Sequence, residues 1–122
     1  MNTADLIARM DAQRSQWVDL PGGKRVLVRR PLEADFRTLP LDPDTPLYAW
    51  RRAVAEFVAD WEGFTEADLL GAAIGASDAV PFSEALWERV LADRNAYLEP
   101  VVNAIVRAVS EYAQAQALTA KN

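Results

Sequence analysis

The sequence predicts a mainly helical α+β domain, with five or six helices and one β-hairpin near the N-terminus. Apolar residues recur at the spacing of one helix face through most of the chain. In residues 16–30, two short apolar runs instead flank a glycine turn, which is typical of a hairpin. The 122 residues, 51% hydrophobic and 25% charged, have the length and balance of a single folded domain, 1–122.

The first predicted element is a helix from about 4 to 14, within an N-terminal segment of residues 1–15. Thr3 is the expected N-cap, and Asp5 lies in the first turn, where a carboxylate favours the positive end of the helix dipole. A short apolar stripe follows, formed by Leu6, Ile7 and Met10.

The hairpin is predicted over residues 16–30, with its turn at the sequence PGGK. In the second strand Val26 and Val28 share one face, because side chains alternate along a strand. Arg25, Leu27 and Arg29 share the other face. A lone hairpin is marginal in water, so we expect its apolar face to lie on helices.

Residues 31–117 are predicted to form the helical body, opening with a helix from Pro31 to Leu39. After a proline-rich connection, LYAWRRAVAEFVADW has the clearest helical pattern in the chain, from Leu47 to Trp61. Its apolar side chains fall on one stripe: Leu47, Trp50, Val54, Phe57, Val58 and Trp61. Gly63 is expected to end this helix.

Three further elements complete the body. Thr65 and Asp68 have the spacing of a capping box, which predicts a weak helix to about Ile74. Ser83 is expected to cap the helix SEALWERVLADR. The last helix is predicted from about 96 to 117, with Pro100 in its first turn or at a kink, before a frayed tail at 118–122.

The composition excludes several classes of function. The chain has no cysteine and no histidine, so thiolate and imidazole metal sites are absent, as is the commonest general base. We expect no metal site and no cofactor. The net charge is −5, and residues 62–122 carry the excess with four basic and nine acidic side chains, which disfavours nucleic acid. With no apolar run near 20 residues and no signal-like N-terminus, we expect a cytoplasmic protein that does not enter membranes.

Asp60 and Glu62 are the sharpest candidates for an acid and base pair. Such a pair needs environments that separate the two pKa values, normally by burying one carboxyl group in a cleft. On a helix, positions i and i+2 point to different sides, and here Trp61 lies between them on the apolar stripe. We therefore interpret them as a solvated helix end and expect no catalytic residues and no enzyme activity.

Basic residues cluster around the hairpin, and Arg29 and Arg30 are central to this group. Charge of this kind often protects the edge of a sheet from pairing with another chain. It could also dock onto an acidic protein surface or contact nucleic acid. The cluster comprises Lys24, Arg25, Arg29, Arg30 and Arg37.

Four tryptophans are many for a chain of this length. Most should lie in the core, but a small domain has difficulty burying all four, so one or two could belong to a partner-binding patch. Trp61 and Trp87 are the choices, because each lies beside a loop, and the neighbouring Phe64 and Phe82 are predicted to contact the partner with them.

The order of these parts resembles a known family. A hairpin ending in VRRPLEADF leads to DWEGF, then to VPFSEALWERVL and a final amphipathic helix. This order is similar to the small tail assembly chaperones, and related tail-module proteins, of long-tailed bacteriophages and prophages. The resemblance covers about residues 16–110. The matching positions are Arg29, Arg30, Pro31, Trp61, Gly63, Phe64, Pro81, Phe82 and Ser83.

The resemblance implies a non-enzymatic binding protein. Such chaperones associate with the tape measure protein, keep its long apolar helices in solution and help recruit the major tail protein. Two alternatives stay open: a structural tail or head-tail component retained in the virion, or a small phage-encoded regulator that binds a host protein. A homo-oligomer is also compatible with the sequence.

Overall fold

The computed structural model describes residues 2–121. The fold is α+β and mainly helical, as the sequence predicts. Its α-helices are α1 (Thr3–Gln13), α2 (Arg51–Glu56), α3 (Glu66–Leu70), α4 (Glu84–Asp93) and α5 (Leu98–Lys121). Its strands are β1 (Ser15–Leu20), β2 (Lys24–Arg29) and β3 (Val58–Glu62). Short 3-10 helices span Glu33–Thr38, Leu47–Trp50 and Asn95–Tyr97.

The N-cap of helix α1 lies one residue earlier than predicted. The N-cap is Asn2, whose side-chain oxygen accepts a hydrogen bond from the backbone N–H of Asp5 at 2.8 Å. Thr3 is the first helical residue instead, so its prediction as N-cap was wrong. An asparagine caps at least as well as a threonine, because its oxygen reaches the same unpaired N–H groups.

The predicted hairpin forms, and it belongs to a three-stranded antiparallel sheet in the order β1-β2-β3. Strand β1 pairs with β2 along its whole length, from Ser15 opposite Arg29 to Leu20 opposite Lys24. Val26 and Val28 face the helices and are fully buried, as the alternation predicts. The opposite face of the sheet, which we call the outer face, carries Arg25, Leu27 and Arg29 on its central strand.

The prediction of one long helix over residues 47–61 was wrong. A 3-10 turn leads into α2, which ends at Glu56, and the chain then continues as strand β3 beside β2. The pairing register shifts between Leu27 and Val28, so Val58 lies opposite Val28 and Trp61 lies opposite Val26. This β-bulge puts two side chains three positions apart on the same face of the sheet, where both are buried.

The bulge also explains why the sequence pattern predicted a helix here. Apolar residues three positions apart are typical of one face of a helix, whereas a regular strand would place two such residues on opposite faces. The long helix would have left one edge of β2 unpaired, and β3 satisfies the backbone groups of that edge. As a result the helical body predicted for 31–117 contains a strand.

One hydrophobic core joins the sheet to the helices. Ser83 caps α4 by accepting a hydrogen bond from the N–H of Leu86 at 3.1 Å, as predicted. Pro100 lies in the first turn of α5, where its missing N–H costs no helix bond. Helix α5 continues to Lys121, beyond its predicted end near 117, and is helical where a frayed tail was expected; Asn122 lies outside the described residues.

The remaining predicted helices are shorter than expected. The segment after Pro31 forms only the 3-10 helix Glu33–Thr38, and its Phe36 packs against the core. Helix α3 has the full capping box of Thr65 and Asp68, but it ends at Leu70 rather than near Ile74. Gly71 follows it directly, as is common for a glycine at a helix C-terminus.

Asp68 connects α3 to the hairpin turn. Its carboxylate accepts hydrogen bonds from the backbone N–H of Thr65 at 2.8 Å and from the Thr65 hydroxyl at 2.9 Å. It also forms an ion pair with Lys24 at 3.1 Å. These contacts, the Thr65 backbone N–H first among them, hold the pKa of Asp68 below its ordinary value.

We expect the contribution of Asp68 to stability to disappear in acid. Because its pKa is lower in the folded state, the carboxylate stabilises the fold above its ordinary pKa, about 4, and this effect is lost as the pH falls through the folded pKa. The difference in melting temperature between wild type and Asp68→Asn should therefore shrink as the pH is lowered from about 7 to 3. Glu111→Gln, an exposed change on α5, should follow the wild type throughout. A difference that stays constant over this range would contradict the prediction.

Within residues 2–121, none of the helices combines the length and apolar character that a membrane-spanning segment needs.

Candidate protein-binding surface

Three of the four aromatic side chains predicted to contact a partner lie in the core. Trp61, Phe64 and Trp87 are 5%, 1% and 0% exposed. Trp61 stacks on Phe64 with ring centroids 4.1 Å apart, and both meet Trp87 edge-on at 6.5 Å. Phe82 is half-buried and packs edge-on against Trp61 at 5.6 Å. The expectation that Trp61 or Trp87 is offered at the surface was therefore wrong for this fold.

The domain can bury these indoles because their polar atoms are satisfied. The indole N–H of Trp87 donates to the carbonyl of Val54 at 3.1 Å, and that of Trp61 donates to the carbonyl of Val80 at 2.7 Å. Edge-on contacts between aromatic rings are also favourable beyond the area that they bury. The segment after β3 folds back over Trp61 to supply one of these carbonyls, and no local pattern in the sequence indicates that path.

Arg30 holds β2 against α5. Its guanidinium lies over the ring of Tyr112 at 4.0 Å and donates to the carbonyl of Pro31 at 2.7 Å. The Tyr112 hydroxyl in turn donates to Glu33, and this hydrogen bond raises the pKa of Tyr112. A cation over an aromatic face is attracted by the ring quadrupole. The structure thus gives Arg30 an intramolecular role, on a different side of the sheet from Arg29.

Arg29 lies on the outer face of the sheet. Its backbone N–H donates to the carbonyl of Phe57 at 2.8 Å, which fixes the end of β2. Its side chain is partly buried, and the Nε atom is buried with no hydrogen-bond partner in the described part of the chain. Within residues 2–121, Arg29 also forms no ion pair with an acidic side chain.

A groove of about 710 Å³ lies between α1 and the outer face, and Arg29 lines it. Alanines at helical spacing line the side of α1, together with Ile7: Ala4, Ala8 and Ala12. On the sheet side, Trp17 and Leu27 lie directly opposite each other in the strand pairing. We call this feature the α1 groove. Trp17 and Leu27 form its apolar floor on the side of the sheet, and Arg29 lies at one end of that floor.

Helix α1 and the nearby Trp17 expose an unusual amount of apolar surface. Every residue of α1 except Asp11 is exposed, and the stripe of Leu6, Ile7 and Met10 is 53%, 54% and 59% exposed. All four tryptophans lie in the described range, and Trp17, at 37%, is the exposed one. The sequence did contain this signal. It predicted the stripe on α1, but we assigned the binding role to other aromatic residues.

Two ion pairs lie near the α1 groove. Asp11 binds Arg14 at 3.0 Å, and Glu62 binds Arg25 at 2.7 Å. The hydrogen bond from Arg25 lowers the pKa of Glu62, and the Arg25 guanidinium also lies 4.4 Å above the Trp17 ring. Both side chains of the Arg25 pair are largely exposed, so it adds little stability.

Asp60 and Glu62 occupy the same face of the sheet, opposite Leu27 and Arg25. This corrects the expectation that they point to different sides, because in a strand positions i and i+2 share a face. One carboxyl oxygen of Asp60 accepts the N–H of Trp61 at 2.8 Å, and Glu62 is engaged by Arg25. Among the residues that the structure describes, no three acidic side chains cluster closely enough to hold a metal ion.

Comparison of the chain with protein-family models, with curated proteins and with solved structures gave no match.

Proposed function

We propose that this chain is a non-enzymatic tail assembly chaperone of a long-tailed phage or prophage. In this role it binds apolar helices of the tape measure protein and helps recruit major tail protein subunits in the bacterial cytoplasm. The observation that supports the proposal best is the exposed apolar stripe on α1, formed by Leu6, Ile7 and Met10, of which Ile7 lines the α1 groove.

This surface has the properties of a helix-binding site. Contiguous apolar patches on a soluble protein usually mark an interaction site. An isolated helix of 11 residues is also marginal in water, because helices of this length gain most of their stability from packing. A partner helix lying against α1 would supply that packing.

The mode of binding that fits this geometry is a helix in a groove. Amphipathic helices bind in this way by inserting apolar anchors spaced along one face. The alanine wall of α1 permits a close approach, while Trp17 and Leu27 provide an apolar floor. Trp17 is the kind of residue that contributes most to binding at protein interfaces.

Co-expression with the tape measure protein tests the proposal. Wild-type protein should keep the tape measure protein in solution and co-purify with it, whereas Ile7→Lys, which places a charge in the α1 groove, should lose it. Ile7 is 54% exposed, so this variant should retain the stability of the wild type within about 0.5 kcal/mol.

A matched control places the same charge elsewhere. Ile74→Lys changes a side chain that is also highly exposed but lies outside the α1 groove, and this variant should bind as the wild type does. If Ile7→Lys retained the tape measure protein, the assigned surface would be wrong. If wild-type protein failed to bind it at all, the proposed function would be wrong.

A further inference from the structure

The α1 groove carries one charge that the protein does not neutralise itself. Its other charged residue, Asp11, pairs with Arg14, whereas Arg29 has no ion pair among residues 2–121. The buried Nε of Arg29 also lacks an acceptor within that range. Buried polar groups in folded proteins almost always have a partner, so the Arg29 side chain is incompletely satisfied by the protein, and an acceptor that bound the rest of its guanidinium would be favourable.

The position of Arg29 defines where such an acceptor would lie. On β2, Arg29 is two residues from Leu27 and therefore on the same face of the sheet. Leu27 and its cross-strand neighbour Trp17 form the apolar floor, so the cation stands at one end of that floor. A helix packed over the floor would bring side chains about one turn from its apolar anchors close to Arg29.

The chemistry of the α1 groove favours a carboxylate on a helix. An arginine guanidinium binds carboxylates through paired N–H donors, and these bonds are among the strongest in proteins. A nucleic acid would require several cations, whereas this site combines a single unpaired arginine with an apolar floor in a chain of net charge −5.

Resting on the proposed function, we propose that the α1 groove selects an amphipathic helix that carries an aspartate or glutamate one turn from its apolar stripe. Arg29 binds that carboxylate, while Trp17, Leu27 and Ile7 contact the apolar stripe. The acidic residue then fixes the register of the helix in the groove, since apolar contacts alone are not directional.

Two synthetic peptides test this specificity on the full chain. Each is an amphipathic helix of about 18 residues with leucines at positions i, i+3, i+4 and i+7. One carries a glutamate beside the stripe and the other carries a glutamine at the same place. Fluorescence anisotropy should show that the wild type binds the glutamate peptide about tenfold more tightly, the usual effect of one charged hydrogen bond.

Variants of Arg29 test whether its guanidinium causes the preference for the glutamate peptide. Arg29→Gln should bind both peptides with equal affinity, and Arg29→Glu should instead prefer a third peptide with lysine at that position. Arg37→Gln removes an exposed arginine outside the α1 groove, and it should keep the wild-type preference. Circular dichroism of each variant confirms that it is folded before binding is measured.

The outcomes separate this inference from the proposed function. Equal binding of the glutamate and glutamine peptides to wild type would overturn the inference while leaving helix binding intact. A glutamate preference that persists in folded Arg29→Gln would also overturn it. If neither peptide bound the wild type, the α1 groove would be wrong as a helix-binding site, and the proposed function would lose its main support.

Discussion

Replacing Trp87 by alanine should cost about 3–5 kcal/mol of folding free energy, the usual effect of removing a large aromatic side chain from a core. Trp87 is fully buried, stacks with Tyr97 at 6.3 Å, and contacts Trp61 and Phe64 edge-on. Its indole N–H also donates to the carbonyl of Val54, which lies in the last turn of α2, where carbonyls lack a helical partner. Since small domains are stable by only about 5–15 kcal/mol, this change removes a large fraction of the folding free energy and should lower the melting temperature clearly.

Thermal and urea unfolding measure the loss of stability in Trp87→Ala. Two further variants show how much of that loss comes from the hydrogen bond and how much comes from burial. Trp87→Phe keeps most of the apolar contact but removes the hydrogen bond, so it should fall between wild type and Trp87→Ala. Trp17→Ala removes the same type of side chain from the outer face and should cost much less, because Trp17 is 37% exposed. Equal losses for Trp17→Ala and Trp87→Ala would contradict the assignment of Trp87 to the core.

Replacing Gly63 by alanine should destabilise the fold by roughly 2–4 kcal/mol, from backbone strain and overpacking together. Gly63 has a φ of 88°, which residues with a Cβ atom rarely adopt. A Cβ atom there would also lie 2.8 Å from the carbonyl oxygen of Gly23 and 3.2 Å from the Cα of Lys24. Both atoms belong to the backbone of the hairpin turn, so they cannot rotate away.

Gly23→Ala is the matched control for this prediction. Gly23 also has a positive φ, 75°, but a Cβ atom there would meet no other atom within 4 Å. Its cost should therefore reflect backbone strain alone, about 1–2 kcal/mol. Urea unfolding of the two variants separates the terms. If Gly63→Ala lost no more stability than Gly23→Ala, the close crossing of the chain over the hairpin turn would not be rigid.

Local signals in the sequence predicted several elements correctly. The hairpin, the capping box of Thr65 and Asp68 and the cap of Ser83 each depend on residues close together in the chain. The alternation of Val26 and Val28 identified the buried face of β2 for the same reason. Such features can be read from a sequence because the interactions that create them are local.

The largest error came from a long-range interaction. Residues 58–62 have helical spacing of apolar side chains, but pairing with residues of β2 that lie 30 to 37 positions earlier makes them a strand. The bulge opposite Leu27 then lets Val58 and Trp61 share a face. The candidate site was missed for a related reason. The segment that follows β3 covers Trp61, and Trp87 is buried against α2 and Tyr97, while Trp17 is left exposed. None of these facts follows from local sequence.

The sequence by itself determined the class of the fold, the hairpin, the helix caps and the apolar stripe on α1, because short-range periodicity and capping chemistry specify them. The tertiary structure decided which apolar residues are buried, and it separated Arg29 in the α1 groove from Arg30 against Tyr112. It also turned DWEGF from a predicted helix end into an edge strand followed by a tight crossing at Gly63. These outcomes depend on which distant segments form backbone hydrogen bonds with each other and bury each other's apolar side chains. Those pairings are determined only when the chain is folded.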